Sequence, residues 1–311
     1  MNEECDGKCE SCSKADACTD PKKERYMEQQ ALKLRMSKIK HKIAIISGKG
    51  GVGKSTVTVN LAMSFAMHGY VNRVGILDID IHGPCIPKLL GVKDRRYQVS
   101  PLGLGALPVI GPMGIKVVSM DFLLQSQETP VIWRGPLKMQ VIKQFLSDFM
   151  WGELDFLFID VPPGTGDEPL SVMQLIPEMD GTVIVTIPSE VSEDVVKKAV
   201  SFSRQMNVPV IGIVENMSGF TCPKCGAEIN ILGVGGGEKI SEEMDVPFLG
   251  KIPMDPRISE DSDRGMPFII GHADTPAAKA FKEIVRKIGR FLEDRERLES
   301  PPKPSPREEG S

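Results

Sequence analysis

The chain has 311 residues, 41% hydrophobic and 26% charged, which is ordinary globular usage with room for one large or two ordinary domains. A formal net charge of −4 and a pI near 5.7 argue against a broad nucleic-acid-binding surface, and no apolar run is long enough to cross a membrane. The opening Met1-Asn-Glu-Glu-Cys-Asp6 is acidic and lacks the apolar stretch of a signal peptide, so a cytoplasmic protein is expected, whose seven cysteines serve as thiols or metal ligands rather than disulfides.

Three zones follow in chain order. Residues 1–38 are polar, carry Cys5, Cys9, Cys12 and Cys18, and turn helical in composition from Met27. Residues 39–295 alternate short β-branched runs with helical patterns. Strands are predicted over 43–47, 74–78, 115–119, 156–161, 182–187, 210–215 and 248–251, and helices over 55–68, 137–149, 192–206, 235–244 and 276–292. Continuous apolar strands alternating with helices predict an α/β fold: a doubly wound, mainly parallel sheet of about seven or more strands with helices on both faces. Ligands are expected at the C-terminal strand ends. In the last helix Phe281, Ile284, Val285, Ile288 and Phe291 share one face, which predicts packing onto the sheet. Residues 296–311 are rich in Pro, Ser and charge and are expected to be disordered.

Gly48-Lys49-Gly50-Gly51-Val52-Gly53-Lys54-Ser55 fits the phosphate-loop pattern G-x-x-x-x-G-K-[ST], and it lies between a predicted strand and a predicted helix. Its glycines let backbone N–H groups wrap a phosphate, Lys54 reaches the β- and γ-phosphates, and Ser55 is placed for Mg²⁺, with Thr56 beside it at the helix start. Two acidic motifs end apolar strands: Asp78-Ile-Asp80-Ile-His-Gly83-Pro84 and Asp160-Val-Pro-Pro-Gly164-Thr-Gly166-Asp167. Asp160 fits a Mg²⁺-holding role, Asp80 the orientation or activation of the attacking water, and Asp78 a position behind the metal. Gly164 and Gly166 supply a loop able to follow the γ-phosphate.

Cys222-Pro-Lys-Cys225 is half a zinc site, a redox pair or half a cluster site, and no second C-x-x-C follows to complete a four-thiolate zinc centre. The four early cysteines, separated by three, two and five residues, can close around one metal centre. Cys85 is read as a small buried residue. His41, His68, His82 and His272 show no metal-ligand spacing, and Arg134 serves either phosphate and interface or a helix start.

The phosphate loop with its early lysine resembles the deviant Walker A ATPases, which include MinD, ParA and the nitrogenase iron protein. Within that class Asp78-Ile-Asp-Ile-His-Gly-Pro84, Trp133-Arg-Gly-Pro136, Asp160-Val-Pro-Pro-Gly-Thr-Gly-Asp167, Val214-Glu-Asn-Met-Ser218 and Cys222-Pro-Lys-Cys225 resemble the Mrp/ApbC iron–sulfur carrier ATPases, over residues 40–290. The resemblance implies a homodimer with slow ATP hydrolysis, in which Lys49 crosses to the partner's nucleotide much as an arginine finger does. It implies Asn216 at the adenine, with Pro253 and Asp255 in an adenine-side loop; no guanine-reading N-K-x-D is present. It further implies a labile [4Fe–4S] cluster bridging Cys222 and Cys225 of two chains and passed to apo iron–sulfur proteins, with a shared zinc ion as the alternative. The spacing C-x-x-C-x₅-C over Cys9, Cys12 and Cys18 resembles the extra cluster motif of the eukaryotic cytosolic scaffold branch. Cys5 departs from that motif by lying only three residues upstream of Cys9. The other activities in this class are ATP-gated electron donation, as in the nitrogenase iron protein, and MinD/ParA-style spatial regulation.

Overall fold

The computed structural model describes residues 21–81, 83–101, 103, 105–123, 135–176, 178–222 and 224–299. Cys5, Cys9, Cys12, Cys18, His82, Arg134 and the tail from residue 300 lie outside the described residues, as do the expectations placed on them.

Among the described residues the frame is an eight-stranded sheet: β1 (Ile39–Ile46), β2 (Val74–Asp78), β3 (Val109–Ile110), β4 (Lys116–Ser119), β5 (Leu154–Asp160), β6 (Gly181–Thr186), β7 (Val210–Glu215) and β8 (Phe248–Lys251). The order is β8-β7-β6-β1-β5-β2-β4-β3, and every pairing is parallel except β3 with β4. All seven predicted strands are present. The sequence did not reveal β3, because two residues are too few to show a period and its antiparallel pairing is a tertiary choice.

The strands are buried on both faces. Ile43 and Ile45 pack on one side with Val57, Leu61 and Phe65 of helix α2 (Lys54–Met67), while Ala44 and Ile46 face the other side. That second layer holds α1 (Pro21–Met36), α4 (Gly135–Ser147), α5 (Asp167–Leu175), α6 (Glu190–Gln205) and α7 (Gly236–Glu243); between α2 and α4 lies a single-turn helix, α3 (Ile86–Leu89). The first layer is completed by α8 (Pro256–Arg264), the single-turn α9 (Phe268–Gly271) and α10 (Pro276–Glu299), whose Phe281, Ile284 and Ile288 are fully buried. Helix α10 continues to residue 299, past the point where the tail is predicted to begin. Helix α1 lies in the polar N-terminal zone, yet Leu32 and Met36 are in the core and Arg35 donates to the carbonyl of Phe149 at 2.9 Å.

Sheet topology positions the chemistry. Strand β1 sits centrally, so the loop leaving it is flanked by the ends of β5 and β6. Asp78 and Asp160 are register partners on β2 and β5, which places both carboxyl groups at one sheet edge, next to that loop.

Candidate functional site: a phosphate loop beside a cysteine hairpin

The loop after β1 turns into α2 through Gly53, whose φ of +78° suits glycine. A Cβ there would lie 2.3 Å from Asn216 Nδ2, and one at Gly48 would lie 2.3 Å from Val195 Cγ1. Close packing therefore requires both glycines, and conformation requires Gly53 as well. Lys54, the first residue of α2, is buried, and its Nζ lies 2.8 Å from Asp160 Oδ2. Ser55 Oγ donates to the same oxygen at 2.6 Å, and Thr58 Oγ1 donates to Asp160 Oδ1 at 2.8 Å. A fully buried carboxylate is thus held by one cation and two hydroxyls, as burial of a charge demands. Ser55 and Asp160, each expected near Mg²⁺, are in direct contact; Thr58 is a third partner that its helical position, one turn after Lys54, could have indicated.

Asp78 is equally buried. It accepts from Ser119 Oγ at 3.0 Å and from the Asp80 backbone N–H at 3.2 Å. Burial, reinforced by the nearby Asp160 charge and opposed by Lys54, raises its pKa well above the ordinary carboxylate value. Asp80 is half-buried, and its Oδ1 accepts from the Gly83 N–H at 3.2 Å. Cys85, read as buried, is half-buried against the core and also bonds the Ser55 side chain; burial pushes its thiol up to about 11. Gly164 donates its N–H to the carbonyl of Ser47 at 2.8 Å, so the Gly164–Gly166 loop starts beside the phosphate loop. Lys49 is half-buried and has no ion pair with a described residue.

A pocket of about 530 Å³ opens beside the loop, lined by Thr56, Asn216, Phe220, Ile231, Pro253 and Ile258 among others. Asn216 is held from both sides: its backbone N–H donates to Thr186 O at 2.7 Å, and Nδ2 donates to Val52 O at 2.9 Å. Its side-chain oxygen and the second Nδ2 hydrogen remain for a ligand. Asp255 lines the pocket, but its carboxylate caps α8 and is committed to Arg257, at 2.8 Å from Nε and 2.6 Å from a terminal nitrogen.

Residue 215, next to Asn216, was not singled out by sequence reasoning, although it too is an acid ending an apolar strand. Glu215 is fully buried. It accepts from Ser218 Oγ, from Gly235 N–H at 2.9 Å and from Gly237 N–H at 2.6 Å. It thereby closes both ends of the segment that carries Cys222 and Cys225. Within that segment Phe220–Thr221 pairs antiparallel with Glu228–Ile229. The turn is fastened by Cys222 N–H to Ala227 O at 2.9 Å and Gly226 N–H to Cys222 O at 2.8 Å. The backbone N–H groups of Cys225 and Lys224 point at the Cys222 sulfur and, with the Cys225 thiol, hold its pKa below the usual thiol value. Inward N–H groups around a sulfur suit a metal-bound thiolate. No cluster of three or more His, Cys, Asp or Glu able to hold a metal exists among the described residues, so the hairpin offers two ligands per chain.

Comparison with known proteins agrees with this arrangement. The model of a ParA family described as NUBPL iron-transfer P-loop NTPase matches residues 38–289. The iron–sulfur cluster carrier protein of Methanocaldococcus jannaschii is 53% identical over 287 residues, covering 92% of this chain and 96% of that protein. Its Saccharolobus solfataricus counterpart is 53% identical over 84% of this chain and 87% of its own length. A nucleotide-binding protein from Archaeoglobus fulgidus, solved with ADP, is 41% identical and superposes with a TM-score of 0.70, over 81% of this chain and 95% of that one. The cell-division ATPase MinD of Pyrococcus furiosus, 24% identical with a TM-score of 0.58 over 81% of this chain and all of its own, shares the fold. With one family model spanning the whole sheet and relatives more than half identical along most of their length, the chain belongs to the NUBPL iron-transfer family of P-loop NTPases.

Proposed function

We propose that this protein is an ATP-binding iron–sulfur cluster carrier. As a homodimer it assembles a labile [4Fe–4S] cluster on Cys222 and Cys225 of two chains, hands it to apo iron–sulfur proteins, and hydrolyses ATP slowly. The observation that carries this reading is the attachment of a phosphate loop and a metal-suited thiol pair to consecutive residues, Asn216 and Glu215, of one strand end. A site with two thiolates per chain is completed by a second copy.

In this reading each residue of the site has a role. The backbone of Gly48, Lys49, Gly50, Gly51, Val52 and Gly53 cradles the phosphates, and Lys54 exchanges its Asp160 partner for phosphate oxygens. Ser55 and Asp160 are hard oxygen donors 2.6 Å apart, a set that fits Mg²⁺, with Asp78 behind them; bound there, the ion would neutralise phosphate charge. Asp80 orients the attacking water, Gly164 tracks the γ-phosphate, and Lys49 reaches the partner's nucleotide. Thr56, Pro253 and Asp255 wall the base pocket. The Asn216 carbonyl accepts from the exocyclic amine of adenine; guanine offers a carbonyl there, which favours ATP over GTP. Cys5, Cys9, Cys12 and Cys18 supply a second cluster site, and the thiol chemistry suits the reducing cytoplasm.

The test is anaerobic reconstitution with iron and sulfide, followed by metal analysis, EPR and transfer to an apoprotein. About four irons per dimer, lost with transfer in Cys222→Ala/Cys225→Ala while ADP binding persists, is the expected result. Transfer retained in that variant overturns the reading. A cluster that stays bound while changing oxidation state would make the protein an electron donor instead, and zinc that iron cannot replace would make the centre structural.

A further inference from the structure

The base pocket and the cysteine hairpin share a wall. Phe220, two residues before Cys222, lines the pocket, pairs with Ile229 across the hairpin, and forms a bridge to Met254, which lines the pocket beside it. Met254 N–H donates to Gly219 O at 2.8 Å, which hinges that wall to the loop after β8. Ile231, on the returning limb, lines the same pocket and is 56% exposed. The hairpin itself has only two ladder pairs, too few to hold an orientation alone. Glu215 pins its base, but the limbs beyond rest against the cavity of about 530 Å³.

We infer that the base of the bound nucleotide, seated against Phe220 and Ile231, sets the orientation of the cysteine pair within the same subunit. This inference rests on the proposed nucleotide site. A planar purine in the pocket removes the apolar faces of Phe220 and Ile231 from water and stacks on the Phe220 ring, so the hairpin limbs gain a third support. Two subunits sharing one metal centre must each present two sulfurs in a set geometry, and a fixed hairpin removes the ordering cost from metal binding. Linkage makes the effect reciprocal: metal on the cysteines tightens nucleotide binding by the factor by which nucleotide tightens metal binding. Gly48 to Val52, Lys54 and Ser55, which would hold the phosphates, do not line this pocket, so phosphate groups alone should not support its wall. Phe220 and Ile231 are therefore positioning residues for Cys222 and Cys225.

The experiment is pulsed iodoacetamide labelling of the reduced, metal-free, full-length protein, read peptide by peptide by mass spectrometry, without ligand, with Mg-ADP and with Mg-tripolyphosphate. Calorimetric titration of the same samples reports that each ligand is bound before labelling. Cys222 and Cys225 should be slowed about five-fold or more by ADP and less than about two-fold by tripolyphosphate. In Phe220→Ala, and in Ile231→Ala at a largely exposed position that the core does not need, ADP at a concentration shown by calorimetry to saturate the variant should protect Cys222 and Cys225 less than about two-fold. Equal protection by tripolyphosphate, undiminished protection in both variants, or protection that grows with protein concentration, as subunit association would produce, each overturns the inference. Failure of ADP to bind at all, seen by calorimetry, overturns the functional reading as well, which separates the two.

Discussion

Glu215 and Asn216 are neighbours at the end of strand β7 and fasten different loops. Glu215 Oε2 accepts from Gly237 N–H at 2.6 Å, and Asn216 Nδ2 donates to Val52 O at 2.9 Å. Side chains of successive strand residues point to opposite faces, so one strand end serves the cysteine segment and the phosphate loop at once. Two substitutions test these fastenings, and two more test the buried charges beside the phosphate loop.

Asn216→Ala leaves the Val52 carbonyl without its donor, close to the required left-handed turn at Gly53. Loss of a buried partner costs about 1–2 kcal/mol of stability. ADP affinity should fall about ten-fold, and the preference for ADP over GDP should narrow, since the acceptor for the exocyclic amine is gone. Calorimetric titration with both nucleotides checks this.

Glu215→Ala orphans the N–H groups of Gly235 and Gly237 and the hydroxyl of Ser218. The loss should be about 3 kcal/mol, because bonds to a buried carboxylate are among the stronger ones. Hydrogen exchange should quicken across residues 218–237 more than in the sheet, and iron retention should drop. Unchanged exchange in that segment would contradict the clamp.

Lys54→Ala removes the cation from a carboxylate that has no exposure to solvent. Breaking a buried pair from one side costs about 3 kcal/mol, even with Ser55 and Thr58 still donating to Asp160. Urea unfolding of the nucleotide-free variant should show that loss, and ATP binding should disappear.

The raised pKa of Asp78 sets the sign of a pH effect in the nucleotide-free protein. A carboxyl with a raised folded pKa binds its proton more tightly folded than unfolded, so the folded state loses stability as pH climbs. The penalty is absent below the ordinary carboxylate range, grows from there to the raised value, and is constant above it. Asp78→Asn keeps an acceptor for Ser119 but carries no charge. Its stability advantage over the native chain should widen across that window in urea midpoints measured at successive pH values; a constant gap would show that Asp78 is not the group responsible.

Much of this was legible in the chain, for physical reasons particular to each part. Phosphate binding uses backbone N–H groups of one contiguous loop, so Gly48 to Ser55 carries its own geometry, and the strand before it and helix after it are visible as periodicity. Asp160 and Asp78 were visible as acids ending apolar runs. Asp255, predicted beside the base, does line the pocket, but its commitment to Arg257 depends on how α8 begins.

The sequence alone determined the doubly wound fold, the phosphate loop, the cysteine pair and the family, because each rests on local spacing or on composition within a short window. Tertiary structure decided which distant residues meet. Strand order placed Asp78 opposite Asp160, brought Asn216 to Val52 across the sheet, folded Glu215 back onto Gly235 and Gly237, and built one pocket from α2, the end of β7, the hairpin and the start of α8. Such contacts arise from how buried strands pack side by side, and the spacing of residues along a chain does not record which strands will be neighbours.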